Sequence, residues 1–530
     1  MPQIYLKEVS FSYIRSEPVF DRVTLQIDSE WKLGLIGRNG KGKTTLLKML
    51  TGELEYSGSI ETTLTFDYFP VNIDNTDGSS LEVVRNLIAP FTQWEKEMQE
   101  LLDDGSIDAL SRFSEINELY TANDGYEIEQ LLEKELSKLD VPKEVLNRPF
   151  HSLSSGEKLK LQLAGLFLKR NHFVLFDEPF SHLDAEGRKK TAQYLKNKKG
   201  FILVSHERDM LDEVVDHVLS INRSSIEIQK GNYSTWQRNK EYRDGFEQDE
   251  NEKLGKEINK MQIAVRQTSQ WSEKVEKTKI GHGRVPDRGY IGHKSAKMMA
   301  RSKAIEKRQT KAIEEKSALL KDIDKNVEIV LKPLEYVKNQ LIYAEDLSIS
   351  YAEKIVCEHI SFSVQKGDRI ALTGKNGSGK SSILKLIMGE DITYSGTLRI
   401  GSNMIISSVP QDIRFFHQSL REYAQSEKTD ESLLKSTLTK LDFDRTLFDH
   451  DMDKLSDGQK KKIAVANSLS KQAHLYVWDE PLNGIDILSR IQIEELLLEY
   501  EPTLLFIEHD SRFCERIATK TVNISYFAPV

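Results

Sequence analysis

The chain has 530 residues, with 74 Lys and Arg against 83 Asp and Glu and a formal net charge of −9, enough length for two or three domains with cores of their own. Two cysteines, Cys357 and Cys514, exclude a disulfide framework, a zinc site and an iron–sulfur cluster, and read as reduced thiols. No run reaches the ~20 apolar residues that span a bilayer, and MPQIYLKEVSFSY lacks the basic and apolar regions of a signal peptide, so a cytoplasmic chain without a membrane partner is expected.

In chain order, each half opens with alternating strands: YLKEVSFSY and Val23–Ile27 in the first, IYAEDLSISY and ISFSV in the second. An apolar strand then runs into a glycine loop and a helix, at Lys32–Leu50 and again at Arg369–Met388. Residues 87–140 read as an acidic helical arm inserted in the first half. Beyond Gly231–Gln237, Leu254, Ile258, Met261 and Val265 form one stripe, and Met298, Ile305, Ala312 and Leu319 form a second with a spacing of seven. This pattern predicts an antiparallel helical hairpin packed as a coiled coil, each arm ~60 Å long at ~1.5 Å per residue. Pro286 and Gly281, Gly283, Gly289 and Gly292 interrupt the helices in a tip loop, Lys279–Lys294. Asn251–Leu320 carries 17 Lys and Arg against 8 Asp and Glu, a net of +9, so the remainder of the chain sums to −18. A basic rod in an acidic chain is the asymmetry of an element that reaches a polyanion. Pro333 marks the end of the linker, and the expected domains are 1–235, 236–335 and 336–530.

The two halves repeat. GRNGKGKTT at Gly37–Thr45 recurs as GKNGSGKSS at Gly374–Ser382; LSSGE at Leu153–Glu157 recurs as LSDGQ at Leu455–Gln459; FVLFDEP and LYVWDEP end at Pro179 and Pro481; VSHER at Val204–Arg208 matches IEHDS at Ile507–Ser511. In such glycine loops backbone N–H groups face phosphates. Lys43 and Lys380 supply charge to the β- and γ-phosphates, and Thr44 and Ser381 supply a hydroxyl to Mg²⁺. The other nucleotide-binding candidates of the loops are Gly37, Asn39, Gly40, Gly42 and Thr45, and Gly374, Asn376, Gly377, Gly379 and Ser382. Apolar strands deliver Asp177 and Asp479 as Mg²⁺ ligands, and the adjacent Glu178 and Glu480 are placed to polarise a water.

Together these motifs resemble the ATP-binding cassette ATPases, α/β proteins of the P-loop NTPase class. The resemblance implies ATP hydrolysis with ATP and Mg²⁺ as cofactors, and two cassettes paired head to tail within one monomer. It implies a first site of Lys43, Thr44, Asp177, Glu178 and His206 with Ser456 and Gly458. The second would use Lys380, Ser381, Asp479, Glu480 and His509 with Ser154 and Gly156. Tyr13 and Tyr351 fall where an aromatic stacks on adenine, and Gln411 matches the Q-loop glutamine, also a Mg²⁺ ligand. Val71 replaces that glutamine in the first half; the D-loops carry Asp184 and Asp486.

Two cassettes joined by a charged helical linker resemble the ABC-F translation factors, and the tip RGYIGHKSAKMMARSK is similar to their antibiotic-resistance, ribosome-protection branch (Lsa/Vga type). That resemblance implies a 70S ribosome partner, with the linker entering the exit-tRNA site near the P-site tRNA and the tip pointing at the peptidyl-transferase centre of 23S rRNA. Displacement of lincosamides, streptogramins A or pleuromutilins would follow. The RNA-contacting candidates are Arg284, Arg288, Tyr290, His293, Lys294 and Lys297, with Lys279, Arg301, Lys303 and His282 nearby. A housekeeping ABC-F factor that relieves stalled ribosomes is the alternative, and a transporter ATPase subunit is a more distant one.

Overall fold

In the computed structural model of the chain, the described residues are 2–13, 18–71, 73, 78–180, 183, 185–221, 226–277, 307–308, 331–351, 354–375, 377–413, 418–441 and 443–524. The chain divides into two units, one made of Met1–Tyr233 with Glu328–Val530 and the other of Ser234–Val327.

The first unit holds two similarly built halves. The first half runs β1 (Gln3–Phe11), β2 (Phe20–Asp28), β3 (Lys32–Gly37), α1 (Lys43–Leu50), β4 (Ser57–Glu61), β5 (Thr65–Phe69), α2 (Ser80–Ile88), α3 (Phe91–Asp104), α4 (Ile107–Ala122), α5 (Ile128–Lys138), α6 (Ser155–Leu166), β6 (His172–Asp177), α7 (Ala185–Lys196), β7 (Phe201–Val204), α8 (Arg208–Val214), β8 (His217–Ile221) and β9 (Ile226–Lys230), before α9 (Tyr233–Lys277) leads out. The second half runs β10 (Gln340–Tyr351), β11 (Lys354–Gln365), β12 (Arg369–Thr373), α10 (Lys380–Ile387), β13 (Thr393–Ile400), β14 (Ile406–Val409), α11 (Leu420–Ser426), α12 (Glu431–Lys440), α13 (Asp457–Ser470), β15 (Leu475–Asp479), α14 (Ile487–Tyr500), β16 (Leu504–Ile507), α15 (Ser511–Ile517) and β17 (Lys520–Asn523).

Each half pairs an antiparallel three-stranded sheet with a larger, mainly parallel one. The small sheets are β2-β1-β4 and β11-β10-β13; the large ones are β5-β6-β7-β3-β8-β9 and β14-β15-β16-β12-β17. The central strands are apolar on both faces because helices and the small sheet cover them: β7 and β16 are buried along their whole length, and β15 is buried throughout. Phe173, Leu175, Ile202 and Val204 share a core with Leu46 and Leu47 of α1; Leu475, Val477, Leu505 and Ile507 do the same with Ile383 and Leu384 of α10. The result sets the carboxyl ends of β3, β6 and β7, and those of β12, β15 and β16, side by side. Ligands of open α/β sheets sit at such ends.

Residues 91–122 of the predicted arm form the helix pair α3 and α4, and α5 follows. In the second unit, the first linker helix is present as α9, 45 residues long. The whole second stripe, the tip loop and all six RNA-contacting candidates lie outside the described residues. Among the described residues no helix is long and apolar enough to cross a membrane. Cys357 and Cys514 are free, and burial raises both thiols, Cys514 to about 12.

Candidate functional site

The loop after β3 turns into α1 through Gly42 at φ +93°, a left-handed residue where a Cβ would strike Phe20 and Val19; Gly379 holds the same place before α10 at φ +90°. Lys43 is pulled back into its loop, its Nζ donating to the Gly37 carbonyl at 2.7 Å and lying 3.3 Å from the Arg38 carbonyl and Asn39 Oδ1. Lys380 donates to the carbonyls of Gly374 and Lys375 at 2.9 Å. Burial lowers the pKa of both lysines, and the neighbouring carboxylates oppose it. The tyrosines lie over the same turn: Tyr13 Oη is 2.9 Å from Thr45 Oγ1, and Tyr351 Oη donates to Ser382 Oγ at 3.2 Å.

At the end of β6, Asp177 Oδ2 accepts from Thr44 Oγ1 and from Tyr68 Oη, both at 2.8 Å. At the end of β15, Asp479 is bonded to Ser381, and its Oδ1 is buried with no hydrogen-bond partner. A hydroxyl and a buried carboxylate with unused acceptor capacity, set beside a lysine, fit a hard divalent cation. Glu178 and Glu480 adopt left-handed backbone, φ +50° and +47°, and each donates its N–H at 3.0 Å to the last residue of the neighbouring strand, Val204 or Ile507. Such a strained conformation persists only where the surroundings impose it. Each glutamate faces a histidine: His206 Nε2 lies 3.3 Å from Glu178 Oε1, and His509 Nε2 lies 3.5 Å from Glu480 Oε1. Burial pushes the Glu178 carboxyl up and His206 down, whereas the hydrogen bond from His509 holds Glu480 low.

Residues of the second half complete the first site. Asn39 Nδ2 donates to the Gly484 carbonyl at 2.8 Å, and Asn39 N–H reaches Asp486 Oδ2 at 3.3 Å. Gly458 packs so tightly on Gly484 and Asn39 that a Cβ there would collide with the Gly484 carbonyl. The common cavity, about 920 Å³, is lined by Tyr13, Lys43, Asp177 and His206 from one half and by Ser456 and Gly458 from the other. Asp486 is held in turn by Lys462, which is buried on α13 with its Nζ 2.6 Å away and keeps the carboxylate well below its usual range against the cost of burial. The corresponding residues of the second site, Asn376 and Asp184, lie outside the described residues. Ser154 and Ser456 each cap the helix they precede, closing a capping box with Glu157 and Gln459.

The Q-loops differ. Gln411 Nε2 donates to Glu480 Oε1 at 3.0 Å, and Lys461 ties the Pro410 and Gln411 carbonyls at 2.8 and 3.2 Å. In the first half the Val71 carbonyl accepts from Gln162 at 3.1 Å, and Tyr68 is the residue of that loop that touches Asp177. Sequence reasoning missed Tyr68, Lys462 and the paired arginines Arg188 and Arg490. Arg188 donates to the Leu183 carbonyl at 2.8 Å and Arg490 to the Ile485 carbonyl at 2.9 Å, positions that share the 302-residue offset of the repeat. That offset was the available signal.

With this geometry in hand, the comparisons with known proteins agree. The family model described as ABC transporter matches residues 20–181 and 357–483, more than half of the chain. This chain belongs to the ABC transporter family. It is an α/β ATPase with two nucleotide-binding cassettes. The cassette protein is 26% identical over 528 residues to the ribosome protection protein VmlR of Bacillus subtilis, covering 98% of this chain and 86% of that one. It is 24% identical over 528 residues to the energy-dependent translational throttle protein EttA of Escherichia coli, covering 94% and 88%. Among solved structures, the RNase-L inhibitor superposes with a TM-score of 0.53 at 19% identity, covering 93% of this chain and 83% of that one, a likeness of fold.

Proposed function

We propose that this chain is an ABC-F ATPase that binds the 70S ribosome in its ATP-bound, cassette-paired form and presents the linker tip to the peptidyl-transferase centre. There it would displace lincosamide, streptogramin A or pleuromutilin antibiotics, acting as a cytoplasmic monomer. The observation that carries this reading is the first site itself, where the Asn39 loop is closed by Gly484, Asp486 and Gly458 of the other cassette. Such a site is whole only when the cassettes are paired, so nucleotide binding and pairing are linked. Full-length likeness to a ribosome protection protein supports the resistance role. Equal likeness to a translational throttle protein favours the second reading, a housekeeping translation factor.

The chemistry Mg²⁺ would supply when bound is neutralisation of the negative charge on the nucleotide phosphates. Thr44 and Asp177, and Ser381 with Asp479 and Gln411, are the residues to hold it. Lys43 and Lys380 leave their loop carbonyls to meet phosphate oxygens. Glu178 and Glu480 orient the attacking water and take its proton on a side-chain oxygen, and His206 and His509 steady those carboxylates from the end of the adjoining strand. Ser456 and Gly458 shut the first site against bulk water.

The test uses the Glu178→Gln/Glu480→Gln variant, which keeps nucleotide but stops hydrolysis. It should accumulate on 70S ribosomes with ATP in co-sedimentation; a variant that stays in the supernatant overturns the ribosomal reading. Replacing residues 281–293 with a Gly/Ser linker should leave ATPase activity intact and abolish protection against lincomycin or tiamulin in a sensitive host. Retained ribosome binding without any protection by the unaltered chain would select the housekeeping reading.

A further inference from the structure

The cassette interface carries a charge arrangement that the repeat does not share. By alignment of the switch segments, His206 matches His509, Glu207 matches Asp510, Arg208 matches Ser511 and Asp209 matches Arg512. Asp209 and Arg512 thus occupy equivalent places in the two cassettes, and they meet: Arg512 Nε donates to Asp209 Oδ1 at 2.5 Å, and its Nη2 pairs with Asp212. Beside them Arg208 crosses into the second cassette. Its Nη2 lies 2.5 Å from Glu494 Oε1 and 3.1 Å from Asp510 Oδ2. Glu494 is wholly buried on α14, where Arg516 is its other partner at 2.9 Å, and Asp510 also accepts from Arg490 at 3.1 Å. The place equivalent to Glu494 in the first cassette, at the offset of 302, is Ala192. The cross-interface bridge is therefore built in one direction only.

We propose that this one-directional charge pattern makes the two cassettes of one chain recognise each other and rejects pairing of like cassettes from two chains. Two first cassettes would set Asp209 against Asp209. Two second cassettes would set Arg512 against Arg512 and would leave the buried Glu494 without the Arg208 guanidinium. Like charges facing across an interface are strongly disfavoured, and removing one member of a buried pair leaves the other uncompensated. The unlike pair sets Asp209 against Arg512 and gives the buried Glu494 the Arg208 guanidinium. The inference rests on the reading that paired cassettes are the working form, and it adds what selects the partner.

The experiment uses the full chain with Asp209→Arg, with Arg512→Asp, and with both. Each single change places like charges together and should raise the ATP concentration for half-maximal hydrolysis by about tenfold, while the double swap restores it to within about threefold of the original. Rescue of one substitution by the other is a readout that a general packing role would not give. A double swap as impaired as the singles, or singles with no effect, overturns the proposal. Where a single variant fails to fold, as read by thermal unfolding, Arg208→Met is measured against Arg208→Lys. Recovery by lysine supports the charge role, and equal loss in both overturns it. Gly458→Ala separates the two readings: if it too leaves hydrolysis unchanged, cassette pairing itself has failed; if it impairs hydrolysis while the charge variants do not, only the charge pattern has failed.

Discussion

At Gly458 the requirement for glycine comes from the other cassette's loop, not from its own backbone. Its neighbour Gly484 lies so close that Gly458→Ala must push the D-loop off Asn39. A misplacement of this kind costs catalytic groups their alignment, about 100-fold in rate, so Gly458→Ala should lower steady-state ATP hydrolysis to that extent in a variant already silenced at site two by Glu480→Gln. Tyr68 is the second residue whose role was hidden. Its hydroxyl and that of Thr44 converge on one oxygen of Asp177. Partners that orient a ligating carboxylate are worth roughly tenfold or more in metal affinity. Tyr68→Phe should therefore raise the Mg²⁺ needed for half-maximal ATP binding at site one by about tenfold, as read by titration calorimetry. An unchanged midpoint would leave Tyr68 a packing residue.

Among the elements, a buried carboxylate of α5 ties the helical arm to the first cassette. Glu135 accepts from Tyr194 of α7 and from Lys198 at 2.6 Å, and from Lys138 at 2.7 Å. Burial works against the charge, yet these three donors hold the carboxyl down to about 2. Because the folded value is depressed below the ordinary ~4.3 of an unfolded glutamate, the stabilisation is complete above that value. It is lost as pH falls toward the folded value. The unfolding temperature should thus fall between ~pH 5 and ~pH 2, and Glu135→Gln should flatten part of that fall. At pH 7 the same variant should lose ~1.5–3 kcal/mol, the worth of hydrogen bonds to a charged group. A pH profile identical to that of the unaltered chain would remove Glu135 from the account.

Across the whole molecule the charge is partitioned: the linker segment Asn251–Leu320 is +9 in a chain of −9. If the tip neutralises phosphates, affinity for ribosomal RNA must fall with salt. Removing Arg284, Arg288, Lys294 and Lys297 together should flatten the slope of log affinity against log salt by ~0.7 per lost contact. An unaltered slope in a filter-binding titration would place those cations away from RNA.

The sequence alone was sufficient for the parts whose signal is local. A glycine loop must follow a strand and open a helix. A carboxylate must end an apolar strand, and the repetition of both, at offsets of 337 and 302 residues, marked two cassettes and the strand ends where Lys43, Asp177 and Glu178 stand. The 45-residue helix α9 was legible from a stripe of apolar residues for the same reason, since helical periodicity is written in neighbouring positions. Only the tertiary structure decided what meets across hundreds of residues: that Asn39 is closed by Gly484, that Tyr68 serves Asp177 where Val71 stands in the glutamine's place, and that Arg208 ends on a buried Glu494. Those partners are chosen by how the sheets and helices pack, and packing depends on the shape of the whole surface, which no short window of residues encodes.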